Sequence, residues 1–97
     1  MIQPLTKEHF DAHLGENYEM PGLGSGKLDM KLIEANSLGN NSAHSRQPFS
    51  LLFQGPSTLR LPQATYRLEH AILGVLNIFI VPIGLRREGL IYEAIFN

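Results

Sequence analysis

The segment VLNIFIVPI, Val75 to Ile83, constrains this chain most, because it is apolar on both faces and sits between two short connections. Ala71 to Gly74 leads into it and Gly84 to Gly89 leaves it, and neither has room for a crossover helix. The runs Ala64 to His70, Val75 to Ile83 and Leu90 to Phe96 are therefore expected as an antiparallel meander. Upstream, Leu28, Met30 and Leu32 alternate with Asp29 and Lys31, and Phe49, Leu51 and Phe53 alternate as far as Gly55-Pro56. A period of two is the mark of a half-buried strand. Glu16 to Met20 is a shorter candidate. Six such strands predict a mainly β fold, a small antiparallel six-stranded barrel or sandwich. The barrel is preferred, since closure removes exposed edges from a small sheet.

Only Leu5 to Leu14 reads as helix. Thr6 can cap its start, Phe10 and Leu14 fall four apart on one face, and Gly15 can end it. The third residue after the cap is His9 rather than Glu, so no capping box is expected. A helix this short is unstable alone and must dock, most simply as a plug in one end of the barrel. Pro21 to Gly26 reads as a turn and Ser37 to Pro48 as a long polar loop. Of 42 apolar residues, 16 lie in positions 1–48 and 26 in positions 49–97. The C-terminal half is thus expected to form the core and the N-terminal half to wrap it. A chain of 97 residues is expected to be one domain, 1–97, with a helix at about 5–14 and a β core at about 28–97.

Charge and motifs remove most functional classes. A net charge of −1 leaves no basic stripe for phosphates, so nucleic-acid binding is not expected. No apolar stretch approaches the ~18 residues that span a bilayer, and MIQPLTKEHF lacks the basic start and apolar run of a signal peptide. A cytoplasmic location is expected, or incorporation into an extracellular or virion-like assembly. The absence of cysteine excludes disulfides, thiolate catalysis and Cys-type zinc sites. GLGSGK, Gly22 to Lys27, fails as a phosphate loop: Pro21 stands where the first glycine belongs, and Leu28 where Ser or Thr belongs. His9 and His13, with His44 from the loop, are too few and too scattered for a metal site. His70 reads as a hydrogen-bonded core or rim histidine. To act as a base it needs a nucleophile or an orienting carboxylate. Ser50 and Ser57 carry no signature, and the acidic residues suggest no pair. Arg86-Arg87 reads as solubilising surface, and Asn40-Asn41-Ser42 as a sequon in form only. No catalytic residue, cofactor or metal is expected.

What remains is interaction. Val75, Phe79 and Val81 point one way and Leu76, Ile78 and Ile80 the other, while Tyr92, Ala94 and Phe96 oppose Ile91 and Ile95. Either the helix and long loop cover the second apolar face, or another subunit meets it. Ile72 and Leu73 in a turn, Val75 beside it, and Leu85 opening the last loop are the candidate partner-binding residues. Against this, Leu73 can tuck under its turn and leave Ile72 alone exposed. The expected function is a non-catalytic protein-interaction or assembly domain, acting on a protein partner or by self-association. The alternative is a small-ligand-binding β-barrel with a pocket between helix and sheet.

The ordered segments LTKEHFDAHLGENYEM, PFSLLFQGP (Pro48 to Pro56), LPQATYRLEHAILG (Leu61 to Gly74) and YEAIFN resemble a small bacterial domain family of unknown function, over most of the chain. Some members are encoded near proteins resembling phage tail-collar or tail-fibre components. The resemblance implies assembly in a phage-tail-like or other bacterial multiprotein structure, and it brings no catalytic residues. This chain departs from the family pattern at Ala71-Ile72 and Val75, where more polar residues are expected, so its hairpin is the stickier one.

Overall fold

The computed structural model describes residues 5–23, 26–39 and 48–96. Its elements are α1 (Lys7–Asp11), β1 (Asn17–Leu23), β2 (Gly26–Ser37), β3 (Phe49–Gly55), β4 (Ala64–His70), β5 (Gly74–Arg86) and β6 (Gly89–Phe96). The strands form a closed antiparallel barrel in the order β1-β2-β3-β6-β5-β4. Two meanders, β1-β2-β3 and β4-β5-β6, lie side by side, and the connection from Pro56 to Gln63 crosses one end of the barrel between them.

The inward faces follow the two-residue period. Tyr18, Met20, Met30, Leu32, Phe49, Leu51, Phe53, Leu68, Ile78, Ile80, Tyr92 and Ala94 are all buried in one cluster. The N-terminal half therefore builds wall rather than wrapping a C-terminal core, because β1 and β2 close the barrel from Asn17 onward. The strands also run longer than their apolar cores: β2 extends to Ser37 and β5 from Gly74 to Arg86. Bulges absorb the misfit, one in β2 between Leu32 and Glu34 and one in β5 between Pro82 and Gly84. Pro82 has no N–H to give a ladder, and a bulge is where a strand tolerates that. The loop expected from Gly84 to Gly89 shrinks to a turn at Arg87-Glu88, and Leu38 N–H reaches the Pro48 carbonyl at 3.0 Å. His44 and the sequon lie outside the described residues.

The helix is shorter than expected, and its cap differs. It stops at Asp11 instead of Leu14, with Ala12 to Gly15 in turns. Phe10 is fully buried against Phe49 and Phe96, at ring separations of 5.9 and 5.7 Å, and it plugs the end of the barrel. Leu14, beyond the helical period, turns to solvent. A capping box forms after all, because the His9 ring takes the role of Glu: its Nδ1 accepts the Thr6 N–H at 2.8 Å.

Tyr92 ties the crossing connection down. Its buried hydroxyl accepts the Leu61 N–H at 3.0 Å and donates to the Leu59 carbonyl at 3.4 Å. The Tyr66 hydroxyl donates to the Pro62 carbonyl at 2.8 Å. Behind this segment β3 and β6 approach closely. A Cβ on Gly89 would stand 2.1 Å from the Gly55 carbonyl oxygen, and one on Gly55 would stand 2.9 Å from the Met30 sulfur.

Phe10→Ala is expected to cost about 3–5 kcal/mol of unfolding free energy, as for other fully buried phenylalanines. Leu14→Ala is expected to change it by less than ~0.5 kcal/mol. Urea midpoints of the two variants check the pair, and equal losses would restore the longer helix.

Candidate functional site

Chain from three places meets at the tip of the β4–β5 hairpin. Glu16 stands just before β1, His13 lies in the turn after α1, and His70 ends β4. The Glu16 Oε1 is 2.6 Å from His70 Nε2 and 2.9 Å from His13 Nδ1. The two imidazoles lie 4.6 Å apart, and the Tyr18 ring covers His70 at 4.6 Å. His70 is almost wholly buried, whereas Glu16 is half exposed.

The partners of His70 decide what it can do. Its Nδ1 accepts two backbone N–H groups of the β4–β5 turn, from Ile72 at 3.0 Å and Leu73 at 3.1 Å. A nitrogen that accepts carries no proton, so the proton is on Nε2 and is donated to Glu16. The hydrogen bond from His70 is the main cause that holds the Glu16 carboxyl below its usual range; desolvation opposes it, and the hydrogen bond from His13 adds a smaller lowering.

His13, Glu16 and His70 are also the one cluster of metal-ligating types among the described residues. They do not fit a metal. A ligating Nε2 must be free of its proton, which moves the proton to Nδ1, where it would face two N–H donors. His9, a member of the expected histidine set, is spent on its cap. The triad is better described as a latch that ties the hairpin tip to the helix turn and β1. The orienting carboxylate that His70 would need is present in Glu16. Glu16 lies 54 residues away in sequence, so nothing local announces it. Neither serine considered as its nucleophile hydrogen-bonds to it among the described residues: Ser50 is buried on β3 and Ser57 is exposed in a turn.

The latch matters because the hairpin is thinly held elsewhere. The β1–β4 seam has a single ladder pair, Glu19↔Glu69, two like charges eased by Lys27 and Arg67. An open groove of about 420 Å³ runs along it, lined by Asn17, Glu19, Asp29, Glu69, His70 and Ala71. On the other side, β5 pairs with β6 only from Arg86↔Gly89 to Val81↔Glu93.

The candidate partner-binding residues do not form one patch. Ile72 (73% exposed) and Val75 (54%) lie at the hairpin tip. Leu73 is partly buried against the core, so it tucks under its turn. Leu85 is exposed but ten residues along β5 from Val75, about 33 Å at the rise of an extended strand. Sequence reasoning missed Phe79 (52%) and Ile95 (56%) as surface residues. They lie two residues beyond the last β5–β6 pair, and the bulge at Ile83 displaces the register that would have shown it. With Val75 and Ile83 they make an apolar stripe that neither the helix nor the described part of the long loop covers.

No helix among the described residues is long and apolar enough to cross a membrane. Residues 5–96 match a family described as a domain of unknown function (DUF6916). Comparison with curated proteins and with solved structures finds no match.

Glu16 has a lowered carboxyl, so its contribution to stability is full above the ordinary glutamate range and is lost as pH falls through the folded-state value. Glu16→Gln is therefore expected to unfold at lower urea than wild type at pH 7, with the gap closing toward pH 3. A gap constant across that range would show that the latch is not ionic. The Tyr18 hydroxyl is buried, its ionisation pushed up to about 12 by burial, and it has no hydrogen-bond partner among the described residues. Tyr18→Phe is expected to raise stability by about 1 kcal/mol, the release of an unsatisfied polar group, read from the same urea series.

Proposed function

We propose that this chain, which belongs to the DUF6916 family of domains of unknown function, is a non-catalytic interaction domain that assembles through the outer face of β5 and the end of β6. The observation that carries the reading is the stripe of Val75, Phe79, Ile83 and Ile95, each at least half exposed on a sheet face that ordinarily alternates with polar residues. A scattered exposed leucine needs no partner, but four large apolar residues on two neighbouring strands do.

Two further features support it. Both ring nitrogens of His70 are engaged in holding turns, which leaves it without a free lone pair for base catalysis. Large side chains from all six strands fill the barrel interior, so a ligand-binding lumen has less support than a binding surface.

Light scattering across a dilution series is expected to show association that rises with concentration. Phe79→Glu and Ile95→Glu are each expected to weaken it about tenfold, the cost of burying an unpaired carboxylate at a contact, with the far-ultraviolet circular dichroism unchanged. Association indifferent to both variants would place the contact elsewhere. A monomer at every concentration whose melting temperature rises with a small molecule would move the reading to the ligand barrel.

A further inference from the structure

We infer that the open edge of β5, from Gly74 to Ile80, pairs with the same edge of a second copy, joining two barrels through an antiparallel β5–β5 ladder centred on Asn77. The inference rests on the assembly reading and gives it a partner and a geometry.

The edge follows from the register. The β5–β6 ladder ends at Val81↔Glu93, although β5 extends back to Gly74 and β6 on to Phe96. Beyond Glu93, β6 keeps its pairing with β3 as far as Phe96↔Phe49. From Ile80 back to Gly74, β5 is paired with β4 alone, in an unbroken run from Ala64↔Ile80 to His70↔Gly74. Backbone groups along such an edge can be satisfied by water or by another strand. Seven residues is an ordinary strand length for the second option.

The edge is also unguarded. Strands that must stay single carry lysines, prolines or bulges on the exposed side. Between His70 and Arg86 this chain has no charged residue at all. Its proline and its bulge, Pro82 and the step at Ile83, fall where β5 is already paired with β6. The outward side chains of the free stretch, Val75 and Phe79, are more than half exposed, and Asn77 between them is exposed too.

The second copy is the occupant that matches. Turned antiparallel about Asn77, the segment VLNIF sets Val75 opposite Phe79 of the second copy and Leu76 opposite its Ile78. Every apolar side chain meets an apolar one. The two Asn77 amides face each other, and each offers both a donor and an acceptor. A two-fold contact requires this kind of self-complementarity. Ile95, exposed beside the split, flanks the new strand and extends its apolar surface.

Because the native chain has no cysteine, single-cysteine variants read the register directly. Residues facing each other across an antiparallel pair stand about 4.5–5.5 Å apart at Cα, within the span of a disulfide. Asn77→Cys is expected to form a disulfide dimer under mild oxidation, while Ile83→Cys, exposed but outside the ladder, stays monomeric on the same gel. Asn77→Lys and Asn77→Glu are each expected to weaken association about tenfold by like-charge opposition, and an equimolar mixture to restore it. A dimer that survives Asn77→Lys and does not cross-link through Asn77→Cys overturns edge pairing. If Phe79→Glu still dissolves that dimer, the assembly reading stands without the ladder. A wild-type monomer at every concentration overturns the β5–β5 contact outright.

Discussion

Closing a barrel means every strand must find two neighbours, and the neighbour hardest to satisfy here is β4. Its seam with β1 holds a single ladder pair, between two glutamates. Glu16 makes up for that weakness. One carboxylate oxygen holds the ring of His70, whose other nitrogen gathers the two N–H groups of the hairpin turn, and the same oxygen holds His13 behind the helix. Three separate pieces of chain are joined through one atom. The helix turn, the start of β1 and the tip of the β4–β5 hairpin therefore stand or loosen together, and Phe10 sits in the last turn of the helix, directly before the turn that carries His13.

That arrangement divides the barrel into unequal parts. The sheet of β1, β2, β3 and β6 is paired along most of its length, broken only by bulges, as is the distal half of β5. The hairpin of β4 with the proximal half of β5 is paired internally and fastened to the rest by buried side chains, chiefly Leu68, Ile78 and Ile80, and by the latch. Regions with few backbone bonds to their surroundings are where proteins open first. Val75 and Phe79 of the apolar stripe lie on this part. A contact there adds backbone pairing to the element that has least of it, so binding and fold stability reinforce each other.

Much of the architecture was legible before any coordinates. Alternation at Leu28 to Leu32, Phe49 to Phe53 and Ala64 to His70 places three strands, and the shortness of two connections makes the last three a meander. Local patterns say nothing, however, about which distant residues meet. Glu16 and His70 look like an isolated acid and an isolated histidine until the barrel closes. The helix was overread because Phe10 and Leu14 share a helical spacing, whereas only one turn and a half is stabilised by the cap and the plug. The bulge at Ile83 was invisible for another reason: β5 has apolar residues on both faces and no phase to lose, so an extra residue leaves no mark on the pattern. The bulge at Ile33 does mark the sequence, but only as the adjacent apolar pair Leu32-Ile33 that ends a clean alternation.

The close approach of β3 and β6 has its own consequence, for how the family can vary. Gly55 is bounded by the Met30 sulfur on one side, and its carbonyl in turn bars any side chain at Gly89. Position 55 on β3 is thus coupled to position 30 on β2 through side-chain space and to position 89 on β6 through backbone approach. A relative with a side chain at 55 must shorten the residue at 30, and one with a side chain at 89 must separate the two backbones and lose ladder pairs between β3 and β6. Substitution at these three sites should be correlated across the family, so sequence comparison alone could recover the strand order around β3.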